Sequence, residues 1–164
     1  MRAKVLIFAT LAGLAACSPP NADAGAGRGG QQETAARHPQ SGLSIIPLSV
    51  ANRAGERHVF AVEVAVTQAQ QARGLMFRTA LGPGEGMLFP LVPPREASFW
   101  MKNTVIPLDI IFIGPDRRIL NIAANTVPYS EAPVLSAGRA AAVLELAGGR
   151  AAQLGLAPGD AVDW

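Results

Sequence analysis

From residue 43 to the end of the chain, short apolar runs are cut by clusters of proline and glycine. A chain punctuated this closely has room for strands but little for long helices. His58-Val59-Phe60-Ala61-Val62-Glu63-Val64-Ala65-Val66 alternates with the period of a half-buried strand, and Asn52–Gly55 supplies a turn before it. Its alternation places Glu63 on the solvent side. Ser44–Val50 is a weaker strand that Pro47 assigns to a sheet edge. Gly86-Met87-Leu88-Phe89 opens a strand that Pro93-Pro94 breaks; Ala97–Thr104 and Leu108–Ile113 are two more. Gly114-Pro115-Asp116-Arg117 is a turn with proline at its favoured second position, so Arg118–Ala123 returns as a hairpin partner. Pro128–Gly138 reads as a loop and Ala140–Leu146 as a strand. A last strand, Ala161–Trp164, follows the type II turn of Ala157-Pro158-Gly159-Asp160.

Two helices fit between these strands. Thr67-Gln68-Ala69-Gln70 has the form of a capping box and predicts a helix running to about Thr79, stopped at Gly82-Pro83-Gly84. Gly148–Leu154 is a short helix closed by Gly155. The expected class is α+β, mainly β: a curled, antiparallel, barrel-like sheet with one or two short helices packed against it.

The first 42 residues have another character. Arg2 and Lys4, the apolar run Val5–Leu14 and the small residues before Cys17 make a secretory leader over residues 1–16. The apolar run is about half of the roughly 20 residues a membrane-spanning helix needs. Leu14-Ala15-Ala16-Cys17 resembles the lipobox of bacterial lipoproteins, which implies cleavage before Cys17, acylation of its thiol and anchoring in a membrane. Ser18 after the cysteine implies the outer membrane by the same resemblance. Residues 17–42, rich in Ala, Gly, Pro and Gln, then form a flexible tether, with one globular domain over 43–164. The expected location is the periplasmic face of the cell envelope.

Charge and composition remove several function classes. Lys and Arg number 14 and Asp and Glu 12, but Arg2 and Lys4 leave with the leader, so the mature chain carries 12 of each. With no basic run, nucleic acid is not an expected partner. Cys17 is the only cysteine, so the folded part has neither disulfide nor thiol chemistry. His58 is the only histidine of the domain, His38 falling in the tether, and this excludes a clustered zinc or iron site. No phosphate-binding or dinucleotide-binding glycine loop is present. No cofactor is expected.

What remains is a polar constellation around Phe99-Trp100-Met101-Lys102-Asn103-Thr104 and Leu108-Asp109-Ile110-Ile111-Phe112-Ile113. Strand alternation puts Trp100 and Lys102 on one face, with Phe99, Met101 and Asn103 on the other. Asp109 interrupts a strand whose two faces are otherwise apolar, and a buried carboxylate needs a partner. Lys102 and Arg78 are the cationic candidates, and loop amides the alternative. A second reading makes Lys102, Asn103 and Asp109 the polar groups of an apolar pocket with Trp100 as its wall. Glu145 interrupts Val143-Leu144-Glu145-Leu146 in the same way. It either pairs with Asp109 for acid–base work or accepts hydrogen bonds from loop amides or an arginine. Met76, Met87 and Met101 are core fillers or, alternatively, thioether ligands for Cu(I).

The domain resembles the domain of unknown function 192 family. The matching pieces are Gly74-Leu75-Met76 with Arg78, Gly86-Met87-Leu88-Phe89, Phe99-Trp100-Met101-Lys102-Asn103-Thr104, Ile106-Pro107-Leu108-Asp109, Val143-Leu144-Glu145-Leu146 with the glycines after it, and Gly155-Leu156 with Pro158-Gly159-Asp160. The resemblance implies a compact, mostly β, barrel-like domain, often exported, and brings no established reaction. The leading expectation is a non-enzymatic envelope module that binds a small polar ligand, a glycan or a partner protein. Its ligand-binding candidates are Arg78, Trp100, Met101, Lys102, Asn103, Asp109 and Glu145. An enzyme using Lys102 and Asp109 without a metal, and copper handling through the methionines, are the alternatives.

Overall fold

The computed structural model describes residues 36–164; the leader, Cys17 and the tether up to residue 35 lie outside the described residues. The element order is β1 (Ile45–Ala51), β2 (Arg57–Val64), α1 (Gln68–Arg73), β3 (Glu85–Phe99), β4 (Leu108–Ile113), β5 (Ile119–Ala123), β6 (Val134–Ala147), α2 (Arg150–Gln153) and β7 (Ala161–Asp163). The strands form one seven-stranded sheet in the order β5-β4-β6-β3-β2-β1-β7. The class is the expected one, mainly β and curled. A bridge between Arg118 and Ala161 brings the two ends of the sheet together, with the Ile119 amide donating to the Asp160 carbonyl and the Val162 amide to that of Arg117.

Curling gives the sheet two apolar faces. Leu48, Val50, Phe60, Val62, Leu88, Ile111, Ile113, Leu144 and Leu146 share one core. Leu75, Met87, Phe89, Met101, Leu108, Ile110, Phe112 and Val143 form a second on the opposite face, under the segments that follow α1 and β3. β4 contributes to both cores by simple alternation, so all six of its residues are buried. Gly86 lies opposite Leu146 in the ladder. A Cβ there would stand 2.7 Å from the Glu145 carbonyl oxygen, so the close passage of β3 and β6 requires glycine.

Several sequence expectations change. β1 is not an edge strand, because it pairs with β2 and with β7. Since β7 reaches only Ser49–Ala51, no strand among the described residues lies on that side of Pro47. α1 keeps its capping box, with the Gln70 amide donating to Thr67 Oγ1, but ends at Gly74 (φ 47°) and not near Thr79. Pro93-Pro94 interrupts β3 without ending it. Pairing with β6 lapses between Pro90 and Arg95 and resumes from Arg95 to Phe99, which also draws Val134–Gly138 into β6 where a loop was expected. β2 and β3 are parallel, with α1 in their crossover. The proposed strand Ala97–Thr104 stops at Phe99, and Met101–Thr104 form a turn, closed by the Thr104 amide donating to the Met101 carbonyl, with Asn103 in the left-handed region (φ 55°). Strand alternation therefore does not apply to Trp100 and Lys102.

Candidate functional site

The two acids embedded in apolar strands sit on opposite faces of the sheet. Asp109 lies opposite Leu146 on β6, while Glu145 lies opposite Ile110 on β4 and Met87 on β3. Facing residues in a ladder point to the same side, so the two carboxylates point apart. They form no acid–base pair.

Asp109 is fully buried and fully occupied. Its Oδ1 accepts from the amides of Asn125 (2.7 Å) and Gly149 (2.9 Å), and its Oδ2 from that of Ala151 (2.7 Å). Gly149 is the N-cap residue of α2 and has no side chain to offer. Asp109 supplies that cap from another strand, satisfying amides that a helix start leaves open. It forms no ion pair with Lys102 or Arg78.

Glu145 is the reverse case. It is only 4% exposed. Burial pushes its carboxyl up to about 8, with no hydrogen bond or charge opposing that shift. It has no side-chain partner among the described residues. Its carboxyl forms the floor of a cavity of about 280 Å³. One wall comes from the end of α1 and the segment after it: Gln71, Arg73, Leu75 and Met76. The other comes from Phe89, Leu91, Arg95, Ser98 and Phe99 of β3, continued by Trp100, Lys102 and Thr104. Phe99 stacks edge-on against Phe89 (5.1 Å) and Phe112 (6.1 Å), which fixes this wall to the core. Gln71 Nε2 donates to the carbonyls of Ala65 and Pro90, tying α1 to β3.

Of the sequence-derived candidates, Trp100, Lys102 and Glu145 meet at this cavity. Trp100 is 49% exposed. Lys102 Nζ stands 5.2 Å from its ring centroid and 3.5 Å from the Glu131 carboxylate. Met101 is buried beneath them, its sulfur accepting from Thr126 Oγ1. Asn103 turns its amide to the sulfur of Met76. Arg78 lies elsewhere, at 2.7 and 2.8 Å from the oxygens of Glu63. Glu63 is consequently buried and not solvent-facing, because Ser41 and Arg78 cover that face of β2. His38 also lies against Arg78, at 3.2 and 3.3 Å, although composition placed it in the tether. Sequence reading missed Gln71, Arg73 and Arg95 at the cavity. Only the basic end of α1 and the cation directly after Pro93-Pro94 marked them. No cluster of three His, Cys, Asp or Glu suited to a metal occurs among the described residues.

The family model of domain of unknown function 192 (DUF192), described as an uncharacterised ACR, matches residues 49–164. The chain belongs to the DUF192 family. A similar solved structure is that of a protein of unknown function from Novosphingobium aromaticivorans DSM 12444. It is 59% identical, with 81% of this chain and 94% of that one covered, at a TM-score of 0.77. Another, from Sinorhizobium meliloti 1021, is described as a "putative transcription regulator". It is 40% identical over 74% of this chain and 94% of its own, at a TM-score of 0.72. No curated protein matches. The DUF192 match spans every strand that frames the Glu145 cavity.

Proposed function

We propose that this DUF192 domain is a binding module whose site is the Glu145 cavity, and that its ligand is small and polar. One observation carries the reading: a buried carboxyl with no protein partner faces an open cavity. An unpaired polar group is costly to bury, and a ligand would relieve that cost. The cavity walls mix apolar side chains, among them Leu75, Phe89 and Phe99, with convergent polar and charged ones, and convergent polar groups are what fix a ligand's orientation. The catalytic alternative through Lys102 and Asp109 loses its basis, because Asp109 faces away from the cavity and caps α2. The copper alternative is weakened by the sulfurs of Met76 and Met101, which already lie against Asn103 and Thr126. The description of the Sinorhizobium protein belongs to that protein. Here the balanced charge of the mature chain offers no concentrated positive field for DNA.

The leader and lipobox support a second element of the proposal, a lipid anchor at Cys17 that holds the domain at the periplasmic face of the envelope. Thermal-shift screening of the full chain against polar metabolites and envelope glycans tests the first element. A ligand that raises the wild-type midpoint and leaves Glu145→Gln unmoved supports it. A panel without a single shift opposes it. Mass spectrometry of the mature N-terminus tests the anchor, and an unmodified Cys17 removes it.

A further inference from the structure

Accepting the Glu145 cavity as a ligand site, we infer that it takes a sugar acid: one pyranose ring carrying a carboxylate. Three observations lead there. First, every residue lining the cavity that is charged at neutral pH is a cation: Arg73, Arg95 and Lys102. Glu145 is the only acidic lining residue, and its carboxyl holds a proton up to about pH 8. Glu131, which pairs with Lys102, is exposed and does not line the cavity. Lys102 is partly neutralised by Glu131, while Arg73 and Arg95 form no ion pair among the described residues, so the walls carry a net positive charge that suits an anionic ligand.

Second, the floor asks for hydroxyl groups. A protonated carboxyl offers one donor and retains acceptor capacity, the set that a sugar hydroxyl complements. The Ser98 hydroxyl adds a neutral polar group, and Gln71, whose nitrogen is held by the Ala65 and Pro90 carbonyls, adds an acceptor oxygen. Third, the wall is aromatic. Trp100 and Phe99 present a surface against which the C–H face of a ring can pack, and Trp100 is half exposed without serving the core. The volume, about 280 Å³, falls just below the usual range of ligand pockets and leaves room for no more than a single ring.

Isothermal titration calorimetry of the full chain tests the inference with four probes: D-galacturonate, trigalacturonate, D-galactose and benzoate. D-galacturonate or its trimer should bind at least about tenfold more tightly than D-galactose, which lacks the carboxylate, and than benzoate, which lacks the hydroxyls. The tighter of the two acidic probes tells whether a free sugar acid or a chain end is the source. Lys102→Ala combined with Arg95→Ala should bring galacturonate affinity down to that of galactose, and added salt should weaken only the acidic probes. Glu145→Gln should weaken the sugars and leave the salt dependence in place. Galactose binding as tightly as galacturonate overturns the sugar-acid inference and leaves the cavity standing as a site. So does benzoate binding as tightly as galacturonate. If none of the four binds while a polar compound from the thermal-shift panel does so in a Glu145-dependent way, the inference again fails and the binding module survives. If no compound of either set binds, both fail.

Discussion

Asp109 and Glu145 are the same sequence event met twice: one acid set into an apolar strand, on neighbouring strands of one sheet. Their surroundings separate them. Asp109 receives three backbone amides and holds the start of α2 in place. Glu145 receives none and looks into a cavity. A satisfied buried carboxylate is part of the architecture. A buried carboxyl that receives no amide, and that lines a cavity, is a candidate binding group.

The contrast can be broken most decisively at Asp109. Asp109→Ala leaves three amides without an acceptor and should lower stability in urea by about 4 kcal/mol. Asp109→Asn, which keeps one acceptor oxygen, should cost about half of that. A stability close to wild type for both variants would contradict the capping role. Glu63 extends the comparison to a third buried acid, one that is held by a side chain. Arg78→Ala removes that acid's arginine and leaves it Ser41 and His38, and should cost about 2 kcal/mol, measured the same way.

Glu145 should respond with the opposite sign. Its folded pKa, about 8, stands above the ordinary 4.5, so the folded state holds a proton that the unfolded state releases. Stability should then fall as pH rises from about 4.5 to about 8 and level off beyond, since within that window the native state binds more protons. Glu145→Gln should remove this slope and gain about 2 kcal/mol at pH 7.5 while weakening ligand binding. Urea titrations across that pH range check it, and an unchanged slope would place the titrating group elsewhere. The smallest effect is expected at Lys102. Its ion pair with Glu131 is solvent-exposed, so Lys102→Ala should change stability by less than about 0.5 kcal/mol and register mainly in affinity for anions.

The sequence carried the strands and the positions of the acids, because alternation and breakers are local signals. It could not assign the acids their roles. The amides that satisfy Asp109 come from Gly149 and Ala151, 40 and 42 residues away, and no local pattern announces them. Alternation also misplaced Trp100 and Lys102, since the turn at Asn103 ends the strand before either residue. Both residues line the Glu145 cavity, which does not include the Asn103 and Asp109 that were expected beside them. Arg78 was legible as a pairing residue, but its partner was misread. Glu63 alternates like a surface residue, and only the approach of residues 37–44 and 75–78 buries it. The extent of β6 was hidden for a similar reason: Val134–Gly138 has no strand signature of its own and is recruited by the resumed pairing of β3.

That lapse between Pro90 and Arg95 divides β3 and β6 into two segments of unequal durability. Below it, the ladder is buried in both cores. Beyond it, Arg95–Phe99 and Val134–Ala140 form a thin ribbon with much of its surface in water. Segments with few buried contacts open at a fraction of the global unfolding cost. The aromatic wall over Glu145 is carried on that ribbon. Amide hydrogen exchange should therefore begin there while the rest of the sheet stays paired, with Phe99 the point at which the ribbon is held to the core.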